Sequence, residues 1–256
     1  MSKVHFVGAG PGAVDLITVR GMNLLMDADV VIYAGSLVNP EILSYAKKAK
    51  QENIHNSATM TLDEVIEVMV AAIEKNLEVV RLHTGDQSIY GAVKEQMYEL
   101  DKRGIEYDSC PGVSACFGAA ASMNLEYTLP GLSQSLIITR MEGKTKVPET
   151  EKIESFAAHH ATMAIYLSAT LTEKLSESLI KGGYDKDTPA AIVYKATWPE
   201  EKTVRCTVGT LPQVAKEHNI TKTAVILVGD VVSPQDIEKS RLYAPDFSTE
   251  FRAATE

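Results

Sequence analysis

Hydrophobic positions follow two rhythms along this chain. Short apolar runs, VHFVGAG from Val4, DVVIYAG from Asp29, LEVVRLHTG from Leu77 and IEYDSCPG from Ile105, read as strands, and each ends in glycine or another small residue. Between them lie segments with helical spacing, including LITVRGMNLLMDA from Leu16 and GAVKEQMYELDKRG from Gly91. Thr61-Leu62-Asp63-Glu64 has the capping-box arrangement, in which threonine and glutamate each satisfy a free amide of a first turn, so a helix is predicted to start there. Its apolar positions Leu62, Val65, Ile66, Met69, Ala72 and Ile73 share one face and belong to a core. Gly104 suits the left-handed conformation that closes a helix.

From Val113 the texture changes. VSACFGAAASMN is small and alanine-rich, LPGLSQ is turn-forming, and SLIITR is again strand-like. The runs TMAIYLS, PAAIVYKAT, EKTVRCTVG and TAVILVGDVV follow as strands, with helices around Leu171 to Lys181 and Leu211 to His218. This alternation predicts an α/β protein with a largely parallel sheet. Two α/β halves with a cleft between them are expected: an N-terminal domain over residues 1–115, a C-terminal domain over 116–240 and a tail over 241–256. Neither a fixed repeat nor a low-complexity tract interrupts the pattern.

Composition narrows the picture only slightly. The 256 residues are 45% hydrophobic and 23% charged, an ordinary globular balance. A formal charge of -9, from 34 acidic and 25 basic residues, disfavours nucleic acid as a partner. No apolar run reaches the ~18 residues of a membrane-spanning helix, and the N-terminus lacks a signal-peptide layout, so no membrane partner and a cytoplasmic location are expected. Cys110, Cys116 and Cys206 match neither a disulfide framework nor a zinc ribbon, and read as buried reduced thiols.

The opening VGAGPGA invites a dinucleotide reading, since Gly8, Gly10 and Ala13 satisfy the loose form of that fingerprint. Two features oppose it. Pro11 offers no amide hydrogen where a phosphate would want one. The acidic residue expected about 20 positions on, at the end of the next strand, is missing. That strand ends in Tyr33, Ala34 and Gly35, and Asp29 stands at its wrong end. The turn is therefore either a close-approach loop for a different ligand or a tight connection with no ligand.

Three further small-residue turns sit at strand ends: HTGDQSIYG from His83, CPGVSA from Cys110 and VYKATWP from Val193. In open α/β sheets, ligands bind where such carboxyl ends converge. Together with VGAGPG these segments resemble the tetrapyrrole methylase family, whose members transfer methyl groups from S-adenosylmethionine to corrin and sirohaem precursors. The resemblance covers roughly residues 3 to 235. Within the family, VIYAGSLVNPEIL, GDQSIYGA, TRMEGKTKVPETEKI and ATMAIYLS are similar to the precorrin-4 and cobalt-precorrin-4 C-11 methyltransferases of cobalamin biosynthesis. Gln87 departs from the pattern, because the family more often has proline after the Gly-Asp pair.

The resemblance implies two unequal α/β domains of the tetrapyrrole methylase type, a homodimer, and S-adenosylmethionine folded into the cleft between the domains. Carried over residue by residue, the cofactor contacts fall on Pro11, Thr84, Gly85, Asp86, Ile89, Ser114, Ala115, Leu167, Ala196 and Ala224. Small residues such as Gly85, Ser114, Ala115 and Ala196 suit close-packed walls with backbone hydrogen bonds. Asp86 has two readings: it attracts the ammonium or sulfonium, or it bonds nearby amides in an Asx-type turn. Tyr90 likewise either lines the cleft near the macrocycle or packs with its hydroxyl at the surface.

The reaction implied is in-line attack by a ring carbon on the sulfonium methyl, leaving S-adenosylhomocysteine. It asks of the protein mainly alignment and exclusion of water, with no protein metal, and no catalytic residue is assigned. A tetrapyrrole precursor carries many carboxylates, so Arg140, Lys144 and Lys146, clustered in one loop, are the candidate substrate contacts, against the alternative of a solvated basic loop. His159-His160 reads as a pair on a helix surface, whose rings diverge too far for one metal ion. GVSAC lacks the second glycine of a hydrolase nucleophile elbow at Ser114. Three other functions stay open: a sibling methylase acting at another ring carbon, a nicotinamide-dependent oxidoreductase, and a ligand-binding regulator without turnover.

Overall fold

The structure is a computed structural model and describes residues 2–234 and 237–255. Residues 235 and 236, within the expected C-terminal domain, and residue 256 of the expected tail lie outside the described residues. The chain divides into two compact units: Met1–Ala119 with Lys195–Glu201, and Ala120–Tyr194 with Lys202–Glu256.

The first unit is built on β1 (Val4–Gly8), α1 (Val19–Asp27), β2 (Val30–Tyr33), β3 (Ile54–Asn56), α2 (Leu62–Ile73), β4 (Val79–His83), α3 (Lys94–Asp101) and β5 (Tyr107–Cys110). Its sheet has the order β3-β2-β4-β1-β5. All four pairings are parallel. A sheet buried on both faces explains the near-continuous apolar strands. Val7, Val31, Val80 and Leu82 pack with Leu25 of α1 on one face. Val4, Phe6, Ile32 and Val79 pack with Ile66 and Met69 of α2 and Leu100 of α3 on the other. The capping box at α2 forms as the sequence predicts, with Thr61 and Glu64 each accepting from the other's backbone amide.

The connection after β1 runs to α1 and toward β2, whereas the one after β4 runs to α3 and toward β5 on the opposite face. Adjacent strands whose connections leave in opposite directions make a topological switch point, the place where open α/β sheets bind ligands. Here it falls between β1 and β4.

Helix α4 (Ala115–Met123) carries the division between the units. The second unit continues with β6 (Leu136–Arg140), α5 (Ile153–Ala157), β7 (Thr162–Tyr166), α6 (Thr172–Lys181), β8 (Pro189–Tyr194), β9 (Lys202–Thr207), α7 (Leu211–Glu217) and β10 (Ala224–Val228). Its sheet, in the order β6-β7-β10-β8-β9, corrects the expectation of largely parallel pairing. Only β6 and β7 run parallel, and the other three pairings are antiparallel. β8 and β9 follow one another with no helix between them, and such a hairpin is antiparallel. Met163, Ile165, Ile192 and Ile226 pack against Ile153, Leu175, Leu179 and Leu211 of α5, α6 and α7. β9 is an edge strand, and its exposed Lys202, Thr203 and Arg205 suit that place.

Two local expectations need correction. Helix α5 ends at Ala157, so His159 and His160 stand in the turn beyond it, and His160 lies edge-on to Tyr184 with ring centroids 5.4 Å apart. Cys110 and Cys116 are buried thiols, whereas Cys206 on β9 is half-buried, with its thiol pushed up to about 11 by burial. Among the described residues no helix is long and apolar enough to cross a membrane.

Candidate functional site

The loops that leave β1, β4 and β5 meet at the switch point of the first unit, and they meet through glycine. Gly10 and Gly85 form an antiparallel bridge, with the Gly10 amide donating to the Gly85 carbonyl at 3.2 Å and the Gly85 amide returning to the Gly10 carbonyl at 2.8 Å. Both take positive φ, 81° and 61°, a region that L side chains rarely adopt. The Ala9 amide donates to the His83 carbonyl at 2.7 Å, so the first loop is zipped to the second. A Cβ on Gly85 would stand 3.5 Å from the Ala115 amide nitrogen and 3.6 Å from the Ser114 Cα, which brings the third loop against the same point.

Asp86 organises the second and third loops. One carboxylate oxygen accepts from the Ser88 amide (2.9 Å) and the Ser88 hydroxyl, and the other accepts from the Gly112 amide at 2.8 Å. Desolvation pushes its pKa upward, but the hydrogen bonds from Ser88 and Gly112 outweigh it and hold the carboxyl below its ordinary value. The geometry is therefore the Asx-type reading of Asp86, reinforced by a tie to the neighbouring loop.

Gln87, where the family pattern departs, is buried, and its side-chain amide donates to the Cys110 carbonyl (3.2 Å) and the Phe6 carbonyl (3.4 Å). A side chain thus ties the loop to the middle of β1 and the end of β5. Beneath it, Arg81 is buried with its guanidinium donating to Gln96 Oε1 (3.0 Å) and the Ile32 carbonyl (3.3 Å). Burial lowers Arg81 to about 10; burial, then the Arg81 charge, lowers His83 to about 3, so His83 is neutral at physiological pH.

A further segment completes this cluster. Lys195–Glu201, which joins β8 to β9 in sequence, belongs to the first unit. The Thr197 hydroxyl accepts from the Ala13 amide (3.0 Å), and Trp198 Nε1 donates to the Pro11 carbonyl (2.9 Å). From the other side Asn39 Nδ2 donates to the Gly12 carbonyl at 2.9 Å. Pro11 also lies against Gly118 of α4, where a Cβ would come within 2.9 Å of the proline ring.

This accounting decides the fate of the opening motif. A pyrophosphate loop needs free amide hydrogens. Here the amides of Ala9, Gly10 and Ala13 already donate within the protein, and Pro11 has none. The glycines serve close approach of backbone to backbone, which leaves the dinucleotide reading without the amides of Ala9, Gly10 and Ala13.

Pro11, Thr84, Gly85, Asp86, Ile89, Ser114, Ala115 and Ala196 all belong to the first unit, where Gly85 lies against Ser114 and Ala115. Tyr90 is 45% exposed on the second loop, with a φ of 54°. The remaining candidates belong to the second unit. Leu167 leaves the end of β7 with a φ of 53°, Arg140 ends β6 opposite Tyr166, and Ala224 begins β10 opposite Tyr194, so all three gather at one end of that sheet. Arg140 donates to the carbonyls of Lys146 (2.8 Å) and Thr145 (3.2 Å), which shapes the loop on which Lys144 and Lys146 are exposed. Sequence reading assigned no role to Gly112, Asn39, Gln87, Thr197 or Trp198, although Gly112, Thr197 and Trp198 stand in turns it singled out and Gln87 marks the departure from the family pattern. Asn39, standing before Pro40 as a helix cap, carried a further local signal.

Comparison with known proteins agrees with this architecture. The family model for tetrapyrrole (corrin/porphyrin) methylases matches residues 3–212. The chain is 50% identical over 250 residues to the cobalt-precorrin-4 C(11)-methyltransferase of Methanocaldococcus jannaschii, covering 98% of this chain and 96% of that protein. The X-ray structure of a cobalt precorrin-4 methyltransferase, a cobalamin biosynthetic enzyme, superposes with a TM-score of 0.86 at 45% identity, covering 91% of this chain and 96% of that one. At 24% identity, which supports the fold alone, the uroporphyrin-III C-methyltransferase of Thermus thermophilus complexed with S-adenosylhomocysteine gives a TM-score of 0.76, over 91% and 94% of the two chains. With its family model matched from residue 3 to 212, this chain belongs to the tetrapyrrole (corrin/porphyrin) methylases.

Proposed function

We propose that this protein transfers the methyl group of S-adenosylmethionine to C-11 of precorrin-4 or cobalt-precorrin-4 in cobalamin biosynthesis. The observation that carries the reading is its 50% identity, across 98% of the chain, to a cobalt-precorrin-4 C(11)-methyltransferase. The local geometry supports it. A nucleoside and an amino-acid chain need walls free of side chains, and the loops at the switch point present Gly85 beside Ser114 and Ala115.

The bound donor would supply a sulfonium methyl reactive enough that no protein nucleophile is needed. Pro11, Thr84, Gly85, Asp86, Ile89, Ser114, Ala115, Leu167, Ala196 and Ala224 are the residues assigned to it. Asp86 contributes loop shape, since both its carboxylate oxygens already accept hydrogen bonds. The chain's contribution to rate is alignment, which can supply about 7–11 kcal/mol where reacting groups are well placed. Tyr90, Arg140, Lys144 and Lys146 are assigned to the carboxylate-rich macrocycle, the lysines as exposed cations. The reading includes a homodimer, measurable by sedimentation, and a cytoplasmic location, measurable by fractionation.

The test is incubation with carbon-13-methyl S-adenosylmethionine and each precorrin-4 form, followed by mass spectrometry and NMR. Label at C-11 supports the reading. Label at another ring carbon would make the protein a sibling methylase, and heat on titration with NAD but not with S-adenosylhomocysteine would restore the oxidoreductase. Lys144→Glu with Lys146→Glu should raise the KM for the macrocycle and leave S-adenosylhomocysteine affinity unchanged.

A further inference from the structure

Three consecutive residues of the first loop are held by side chains distant in sequence: the Pro11 carbonyl by Trp198, the Gly12 carbonyl by Asn39, and the Ala13 amide by Thr197. Among the described residues this turn pairs with no strand, and buried backbone polar groups must otherwise be satisfied by side chains, solvent or ligand. The indole lies so closely on the turn that a Cβ on Gly12 would come within 2.7 Å of Trp198 Cγ.

The holding segment is itself strained. Lys195 and Thr197 both take positive φ, 47° and 68°. For a β-branched residue such as Thr197 this is a true outlier, and it persists only where the surroundings over-determine it. The Thr197 amide donates to Glu201 at 2.5 Å, and Lys195 stands 4.9 Å above the Trp198 ring while pairing with Glu200 at 3.4 Å. A connection between two hairpin strands has no need of this conformation for its own sake. It aims a hydroxyl and an indole N–H at one turn.

We propose that Thr197 and Trp198 are positioning residues that hold the Pro11–Ala13 turn preformed for the methyl donor. The inference rests on the reading above that this turn lines the donor site. Fixing the turn before binding removes an ordering cost that would otherwise be taken from affinity.

The experiment uses the full chain and three variants. Thr197→Val keeps the β-branched shape and removes the acceptor, Thr197→Ser restores the acceptor, and Trp198→Phe keeps an aromatic ring without the N–H donor. S-adenosylhomocysteine affinity is measured by calorimetry, and amide exchange over residues 8–18 is measured on ligand-free protein. Thr197→Val and Trp198→Phe should each weaken affinity about three- to tenfold, the loss of one hydrogen bond, and speed exchange in that segment. Thr197→Ser should recover both, which a general loss of stability would not produce. Trp198 is the only tryptophan in the chain, so its emission should also shift when wild-type protein binds. Affinities of Thr197→Val and Trp198→Phe within about twofold of a wild type that binds overturn the positioning role. No binding by wild-type protein would instead sink the donor-site reading on which the inference rests.

Discussion

Gly8 and Gly112 lie so close that a Cβ on Gly112 would stand 2.7 Å from the Gly8 Cα, and one on Gly8 would meet the Gly112 nitrogen at 2.6 Å. The loops after β1 and β5 thus touch backbone to backbone, with the Gly85 carbonyl 2.6 Å from the same added Cβ on Gly8. No flexible side chain is available to yield. Gly112→Ala should cost at least about 1–3 kcal/mol in urea unfolding, the range of overpacked sites, and abolish S-adenosylhomocysteine binding. Gly104→Ala is the control, with open space but a φ of 65°: it should cost about 1–2 kcal/mol and leave binding intact. A Gly112→Ala protein that binds like wild type would falsify the close-approach account.

Asp86 joins two loops through hydrogen bonds to Ser88 and Gly112. Asp86→Ala leaves those amides without their acceptor and should weaken S-adenosylhomocysteine about tenfold, with Asp86→Asn between it and wild type. Its folded pKa lies below the ordinary 3.8. The carboxylate's contribution is therefore complete above that value and is lost as pH falls through the folded one. Calorimetry between pH 5 and pH 8 should show no dependence attributable to Asp86, and a step in that window that disappears in Asp86→Asn contradicts the assignment.

Gln96 accepts from buried Arg81 and anchors its own amide on the Ala92 carbonyl at 3.0 Å, so it joins the sheet to the start of α3. Gln96→Leu strands a buried guanidinium N–H. Equilibrium unfolding should register a loss of about 2–3 kcal/mol, and Gln96→Glu, which supplies an acceptor of opposite charge, should lose less.

His83 is neutral in the folded protein, with a pKa near 3 set by burial and then by Arg81, against 6.5 when unfolded. A folded value below the unfolded one means that the unfolded chain binds the extra proton. Stability from this group is complete above about pH 6.5 and declines by roughly 1.4 kcal/mol per unit as pH falls toward 3. Unfolding followed from pH 7 to pH 5 should show this decline setting in near pH 6.5 in wild type and a weaker one in His83→Gln; equal declines would remove His83 from the acid response.

Much of the first unit was legible before its structure. The Thr61–Glu64 capping box, the one-sided apolar face from Leu62 to Ile73 and the glycine after α3 are signals contained within a few residues, and the structure carries each of them. Four small-residue turns at strand ends, three of them bearing glycine, were visible too, since a turn needing close approach must be written locally in small residues. Antiparallel pairing in the second unit was less visible. An apolar run such as PAAIVY looks alike in either direction, and only its partner fixes the sense.

The amino-acid order by itself determined most of the strands and helices, though not β3 or α4; it also determined which turns are built of small residues and where acidic and basic groups are available. The tertiary structure alone decided what those groups touch. Thr197 reaches Ala13 across 184 residues, Trp198 reaches Pro11 across 187, and Gln87 reaches the end of β5 across 23. Side-chain periodicity encodes burial because burial repeats with the backbone, whereas a hydrogen bond between distant segments has no period and exists only once the chain is packed.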